Sequence, residues 1–202
     1  MSSILAAYPT TLSTWLTELG QPDYRLRQIA HWLFGRRVGS FAEMTNLPAR
    51  LREDLARHYT FWTTQVVRHT QATDGTEKLL LRLADGGEIE CVLLRDGPRR
   101  SVCISSQVGC AMGCVFCASG LDGVTRDLTT AEILEQLLQL QRLLPQQERL
   151  SHLVVMGMGE PLANLDGLLP ALELAHAPEG LGLSARRITI STGGLPPAID
   201  RL

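Results

Sequence analysis

From residue 100 onward, short apolar runs alternate with stretches whose apolar residues recur at helical spacing. That alternation restricts this part of the chain to parallel βα units. Residues 101–106 read as a strand leading into a cysteine-rich loop. Thr129-Thr130-Ala131-Glu132 is a capping box, and Ile133, Leu137, Leu140 and Leu144 follow on one helix face. Residues 150–156 read as a strand, 164–176 as a helix and 187–191 as another strand, with Pro196-Pro197 opening a last helix. About three βα units cannot close a barrel, so an interrupted, partial barrel is expected.

The preceding 99 residues have different periods. Residues 12–19, 24–34 and 49–58 read as helices, punctuated by Gly20-Gln21-Pro22, Gly35 and Asn46-Leu47-Pro48. Residues 61–70, 77–83 and 88–95 are β-rich, separated by Asp74-Gly75 and Asp85-Gly86-Gly87, and read as a small antiparallel sheet. The expected organisation is a helical domain over 1–60, a short β linker over 61–98 and the α/β core over 99–202.

Charge is unevenly spread along a chain whose net charge is only −2. Residues 1–60 hold seven arginines against five acidic groups, whereas residues 110–202 hold six basic against ten acidic. The basic front, with Arg25, Arg36, Arg37, Arg50 and Arg52, is suited to a polyanion or to a solvated helical surface. No apolar stretch approaches the roughly 18–20 residues that span a bilayer, and Met1-Ser2-Ser3-Ile4 lacks the pattern of a secretory signal. A cytoplasmic protein is expected.

All five cysteines, Cys91, Cys103, Cys110, Cys114 and Cys117, fall within residues 91–117. An odd, crowded set without an export signal favours metal ligation or thiol chemistry over disulfides. Cys110, Cys114 and Cys117 form a C-x3-C-x2-C run, which can hold three corners of a [4Fe–4S] cube and leave one iron open. A closed zinc site is the alternative, with Cys103 or a histidine as fourth ligand. After the next apolar run comes Met156-Gly157-Met158-Gly159-Glu160-Pro161, where glycines permit close backbone approach and Glu160 can hold an amino group. Ser191-Thr192-Gly193-Gly194 places hydroxyls and glycines at the same rim.

The cysteine run with Phe116 before its last member, followed by a glycine–glutamate motif, resembles the radical S-adenosylmethionine (SAM) superfamily. Within it, Ser105-Ser106-Gln107-Val108-Gly109-Cys110, Leu128-Thr129-Thr130-Ala131-Glu132-Ile133, residues 157–162 and Ile190-Ser191-Thr192 resemble the RlmN/Cfr family of RNA methyltransferases. Tyr24-Arg25-Leu26-Arg27-Gln28-Ile29 and Phe41-Ala42-Glu43-Met44-Thr45 are similar to that family's N-terminal accessory domain. The resemblance implies a partial (β/α)6-type barrel in which Cys110, Cys114 and Cys117 bind the cluster. Gly159, Glu160 and Ser191 match SAM-contacting positions, and Met156 matches a methionine near them.

The implied reaction adds a methyl group to C2 of adenosine in 23S rRNA and in tRNA next to the anticodon. The methyl carbon travels on a methylated cysteine after reductive cleavage of SAM. Cys103 matches the thiol that releases the product, and Glu90 a general base near the adenine; Cys91 matches no role. Flavodoxin or ferredoxin is the implied electron donor, and a monomer is expected. The methyl-carrying cysteine has no counterpart, because no cysteine follows Cys117. Methyl transfer by this polypeptide alone is therefore expected to fail, and a non-catalytic RNA-binding module and a C8-methylating, Cfr-like enzyme are the alternatives.

Overall fold

A computed structural model describes residues 1–201. The front is helical: after the short strand β1 (Ser2–Ser3) come α1 (Ile4–Ala7), α2 (Thr10–Glu18), α3 (Tyr24–Ala30) and α4 (Ala49–His58). Each turns its apolar residues inward, with Leu12 and Leu16 of α2, Ile29 of α3, and Leu51 and Leu55 of α4 buried in one cluster. The helix expected over 24–34 loosens after Ala30 into a wide π-type turn, His31–Gly35, which buries both Leu33 and Phe34. Strand β2 (Tyr59–Thr60) pairs in parallel with β1 and ties the two ends of the module together.

Arg37 is the clearest departure from the sequence reading. Its guanidinium is buried and donates to the carbonyls of Leu144 and Pro145 at 2.9 Å each, and to that of Glu148. Burial pushes its pKa down. Arg37 fastens the front helices to the core and is not a free phosphate ligand. Arg52 donates to the Ala42 carbonyl at 2.7 Å, while Arg36 and Arg50 stay exposed.

The sheet has six strands. Strands β3 (Gln65–Gln71), β4 (Glu77–Arg82), β5 (Glu88–Asp96) and β6 (Arg99–Ile104) pair antiparallel in succession. A separate hairpin follows, β7 (Gln107–Gly109) with β8 (Val124–Asp127). Then α5 (Thr130–Arg142) crosses to β9 (His152–Val155), and α6 (Leu165–His176) to β10 (Ile188–Ile190), before the short α7 (Pro196–Ile199). Both β9 and β10 are parallel to β6, in the order β10-β9-β6-β5-β4-β3. The antiparallel strands are thus one half of a continuous mixed sheet, not a sheet of their own, because β5 pairs directly with β6.

Alternation gives the sheet two unlike faces. Leu79, Leu81, Ile89, Leu93, Val102, Ile104, Leu153 and Val155 are buried in the same cluster as Ile133, Leu137 and Leu140 of α5 and Leu168 and Ala171 of α6. The opposite face carries no helix among the described residues, and there Lys78 is exposed and Glu90, Val92 and Cys103 are half-buried. The capping box forms as read, Glu132 N–H donating to Thr129 Oγ1 at 3.3 Å and Thr129 N–H to Glu132 Oε2 at 2.9 Å. Among the described residues no helix is long and apolar enough to cross a membrane.

Candidate functional site

The β7–β8 hairpin is the foundation of the cysteine loop. Gly109 has φ +77°, and a Cβ there would lie 2.1 Å from the Gly123 carbonyl oxygen, so only glycine permits this approach. The Cys110 N–H donates to that same carbonyl at 2.9 Å and closes the loop at its base. A second turn is closed by the Cys117 N–H on the Cys114 carbonyl at 3.0 Å. Cys110 is buried, Cys117 half-buried and Cys114 exposed. Val115 and Phe116 stand out fully, at 102% and 89% exposure.

The donor set is three soft thiols on one loop, which suits an iron–sulfur cluster and not a hard cation. Cys103, the fourth zinc ligand left open by the sequence, instead sits within the sheet between Val92 and Val154. Among the described residues, no three His, Cys, Asp or Glu side chains are already gathered as a metal cage, the loop cysteines included.

The carboxyl ends of β6, β9 and β10 are knitted together beside this loop. Ser105 Oγ donates to the Glu90 carbonyl at 2.7 Å and accepts from Met158 N–H at 2.8 Å. Gln136 of α5 holds the Ser105 backbone from both sides, accepting its N–H at 2.8 Å and donating to its carbonyl at 3.0 Å. Gln107 Oε1 accepts the Glu160 N–H at 2.8 Å, and Asn164 donates to the carbonyls of Ser106 and Leu128. None of these partners is legible from sequence, since each joins residues 15–58 positions apart.

Gly157 and Gly159 serve the same knitting. A Cβ on Gly157 would meet Ser105 Oγ at 2.6 Å, and one on Gly159 would meet Gln107 N at 2.7 Å. The close backbone approach expected of these glycines is thus made first to the protein's own β6–β7 segment. Glu160 is buried, its Oε1 accepting from Leu162 N–H at 3.0 Å and from the Thr192 hydroxyl at 2.6 Å, and its Oε2 from Gly193 N–H at 2.8 Å. A carboxylate has about four acceptor positions, so three donors leave room for about one more. Ser191 is exposed, its N–H bonded to the Val155 carbonyl at 3.2 Å. Met112 of the cysteine loop reaches this rim, its Cε 2.7 Å from where a Gly193 Cβ would stand.

Glu90 and Cys103 share the open face of the sheet, while Cys91, between them in sequence order, points into the core at 1% exposure. Glu90 Oε1 is paired with Lys78 Nζ at 2.8 Å, a partner the sequence reading missed because it depends on register. Burial pushes the Cys103 thiol above its ordinary pKa, partly offset by the Met156 backbone amide. Met156, directly after β9, is 52% exposed and so stands free at the rim.

Arg126 of β8 clamps the hairpin to the body. Its Nε meets Asp85 Oδ2 at 2.5 Å in the β4–β5 turn, and its terminal nitrogens meet Glu132 at 2.9 and 2.8 Å. The Arg126 hydrogen bond holds the Asp85 pKa down to about 2. Burial alone would raise Glu132, but hydrogen bonds from Arg126 and Thr129 bring it below its usual value. Both carboxylates are depressed, so their contribution is complete above the ordinary range near pH 4 and is lost as pH falls toward 2. The urea midpoint is expected to fall through that window, and Arg126→Met is expected to flatten the fall.

The class of protein is given first by this combination, a cysteine loop over the carboxyl ends of parallel strands with a glycine–glutamate motif on the next strand. Residues 104–202 match the family model described as Radical SAM superfamily, and residues 4–61 match that described as Ribosomal RNA large subunit methyltransferase N-terminal domain. A relative from Rhodopirellula baltica named "Probable dual-specificity RNA methyltransferase RlmN" is 65% identical over 191 residues, covering 95% of this chain and 52% of its own length. One of the same name from Symbiobacterium thermophilum is 48% identical, covering 93% and 51%. The crystal structure of a radical SAM methyltransferase from Sphaerobacter thermophilus superposes with a TM-score of 0.93 at 41% identity, covering 100% of this chain and 60% of that one. Over residues 4–61 and 104–202 the chain is thus similar to radical SAM proteins of the RlmN kind. It spans about half the length of the curated relatives it matches.

Proposed function

We propose that this chain carries the cluster- and SAM-binding half of a methyltransferase acting on C2 of adenosine in 23S rRNA and in tRNA beside the anticodon. The observation that carries this reading is the meeting of three distant segments: the cysteine loop through Met112, the β9 loop through Glu160, and the β10 end through Thr192 and Gly193. Cys110, Cys114 and Cys117 would hold the [4Fe–4S] cluster, and Gly159, Glu160 and Ser191 the SAM. When bound, the cluster supplies the electron that cleaves SAM, delivered by a carrier such as flavodoxin or ferredoxin.

The chain's own residues do the placing. Glu160 has one acceptor position open for the SAM ammonium, while its other bonds keep the two strand ends together. Glu90 accepts the proton from adenine C2 at a carboxylate oxygen, and Lys78, paired with that carboxylate at 2.8 Å, fixes its position on the open face. Cys103, on the same face, is held as a neutral thiol by burial; in the complete enzyme its sulfur would bond to that of the methyl-carrying cysteine as the carbon–sulfur bond to the product breaks, that electron pair and a proton completing the product's methyl group.

The test is to incubate the reconstituted monomeric chain with SAM, dithionite and an rRNA fragment. Formation of 5′-deoxyadenosine without methylated RNA is the expected result, since no cysteine follows Cys117. Absence of 5′-deoxyadenosine in a chain that holds its cluster, or equal formation by Cys117→Ser, would overturn the reading.

A further inference from the structure

We propose that the groove across the open face of β3, β4 and β5 seats an RNA phosphate flanking the target adenosine. The proposal rests on the reading of Glu90 and Cys103 as facing the adenine. The groove has a volume of about 580 Å³ and is lined by Arg68, Thr70, Thr76, Lys78, Leu80 and Glu90 among others. Register connects it to the reaction centre. Thr70 faces Lys78, Lys78 faces Val92 and Val92 faces Cys103, in one row across four strands. Arg68, Leu80 and Glu90 form the adjoining row. Two strand spacings, about 10 Å in all, separate the Arg68 strand from the Glu90 strand. That is the scale of one nucleotide from base to flanking phosphate.

The charges favour a phosphate here. Arg68 enters no ion pair among the described residues, while the neighbouring Arg82 is neutralised by Glu88 at 2.8 Å. Lys78 is the only lysine in the sequence and shares its charge with Glu90. Arg68 therefore offers an uncommitted fork of donors, the geometry best suited to phosphate oxygens, with the hydroxyls of Thr70 and Thr76 in the same groove. The net charge of −2 makes such local positive sites necessary for any RNA ligand.

The experiment is fluorescence anisotropy on the 202-residue chain with a labelled stem-loop RNA bearing an unpaired adenosine, across a salt series. Arg68→Ala is expected to lower the salt slope by about 0.7 and to weaken binding about fivefold at 0.1 M salt. Glu90→Gln, which removes the competing carboxylate, is expected to tighten binding. Arg149→Ala, an exposed arginine outside the groove, is the charge-matched control. Equal effects of Arg68→Ala and Arg149→Ala, or weaker binding by Glu90→Gln, would overturn the proposal.

Acetylation supplies a second reading, because Lys78 is the sole side-chain amine. RNA is expected to slow its modification, and an unchanged rate would count against the groove. None of these readings needs cluster or SAM, so failure of SAM cleavage and failure of the phosphate seat are separately visible.

Discussion

Gly109→Ala is expected to abolish iron–sulfur loading while leaving most of the fold in place. A non-glycine residue at φ +77° costs about 1–2 kcal/mol in backbone strain. The larger effect is steric, since the new methyl group would lie 2.1 Å from the Gly123 carbonyl oxygen, a backbone atom that cannot swing aside. Relief requires opening the hairpin and breaking the Cys110 N–H bond that closes the loop base. The hairpin is a sheet of its own, outside the six-stranded sheet, so the circular dichroism of the body should persist. Gly123→Ala is the matched control, with φ +71° and nothing within 4 Å of its added Cβ, and it should retain most of its iron. Iron per chain after anaerobic reconstitution decides between them, and equal loading of the two variants would contradict the account.

Glu135→Ala is expected to be the most destabilising single substitution on α5. The carboxylate is fully buried and accepts four donors: the N–H of Thr63 at 2.9 Å and of Thr64 at 2.8 Å, and their hydroxyls at 2.6 and 2.7 Å. These residues lead into β3, so Glu135 anchors the start of the antiparallel strands to the core helix. Removing the acceptor leaves buried donors without a partner, and losses of this kind run to about 3–5 kcal/mol. In a protein of this size the melting temperature should fall by on the order of 10 °C. Glu135→Gln keeps the shape and one acceptor oxygen and should fall between the two. A change below about 1 kcal/mol for Glu135→Ala, the ordinary range of a surface position, would show that the carboxylate carries no anchoring role.

Those two residues mark where sequence stops informing. The period of Ile133, Leu137 and Leu140 identifies the face of α5 that meets the sheet, but Glu135 is buried on another side by Thr63 and Thr64. Likewise Arg37 reads as solvated on a helical surface, and is buried by carbonyls more than 100 positions away. The β7–β8 hairpin escapes notice because its strands are three and four residues long, with a register shift and 14 residues between them. Its glycines, Gly109 and Gly123, were the available signal. What local chemistry does fix is legible: the capping box at Thr129, the alternation of β6, α5, β9, α6 and β10, and the spacing of the loop cysteines. The diagonal pair of Lys78 with Glu90 belongs to the other kind, visible only once β4 and β5 are in register.

The proposed SAM site joins the loop cysteines to the Glu160 rim. Anaerobic iron–sulfur reconstitution followed by electron paramagnetic resonance of the dithionite-reduced protein, with and without SAM, tests it most directly. The expected result is a [4Fe–4S]⁺ signal that shifts when SAM is added, is lost in Cys110→Ser, Cys114→Ser and Cys117→Ser, and responds weakly to SAM in Glu160→Gln. A chain that assembles no cluster, or one whose signal is indifferent to SAM, would contradict it.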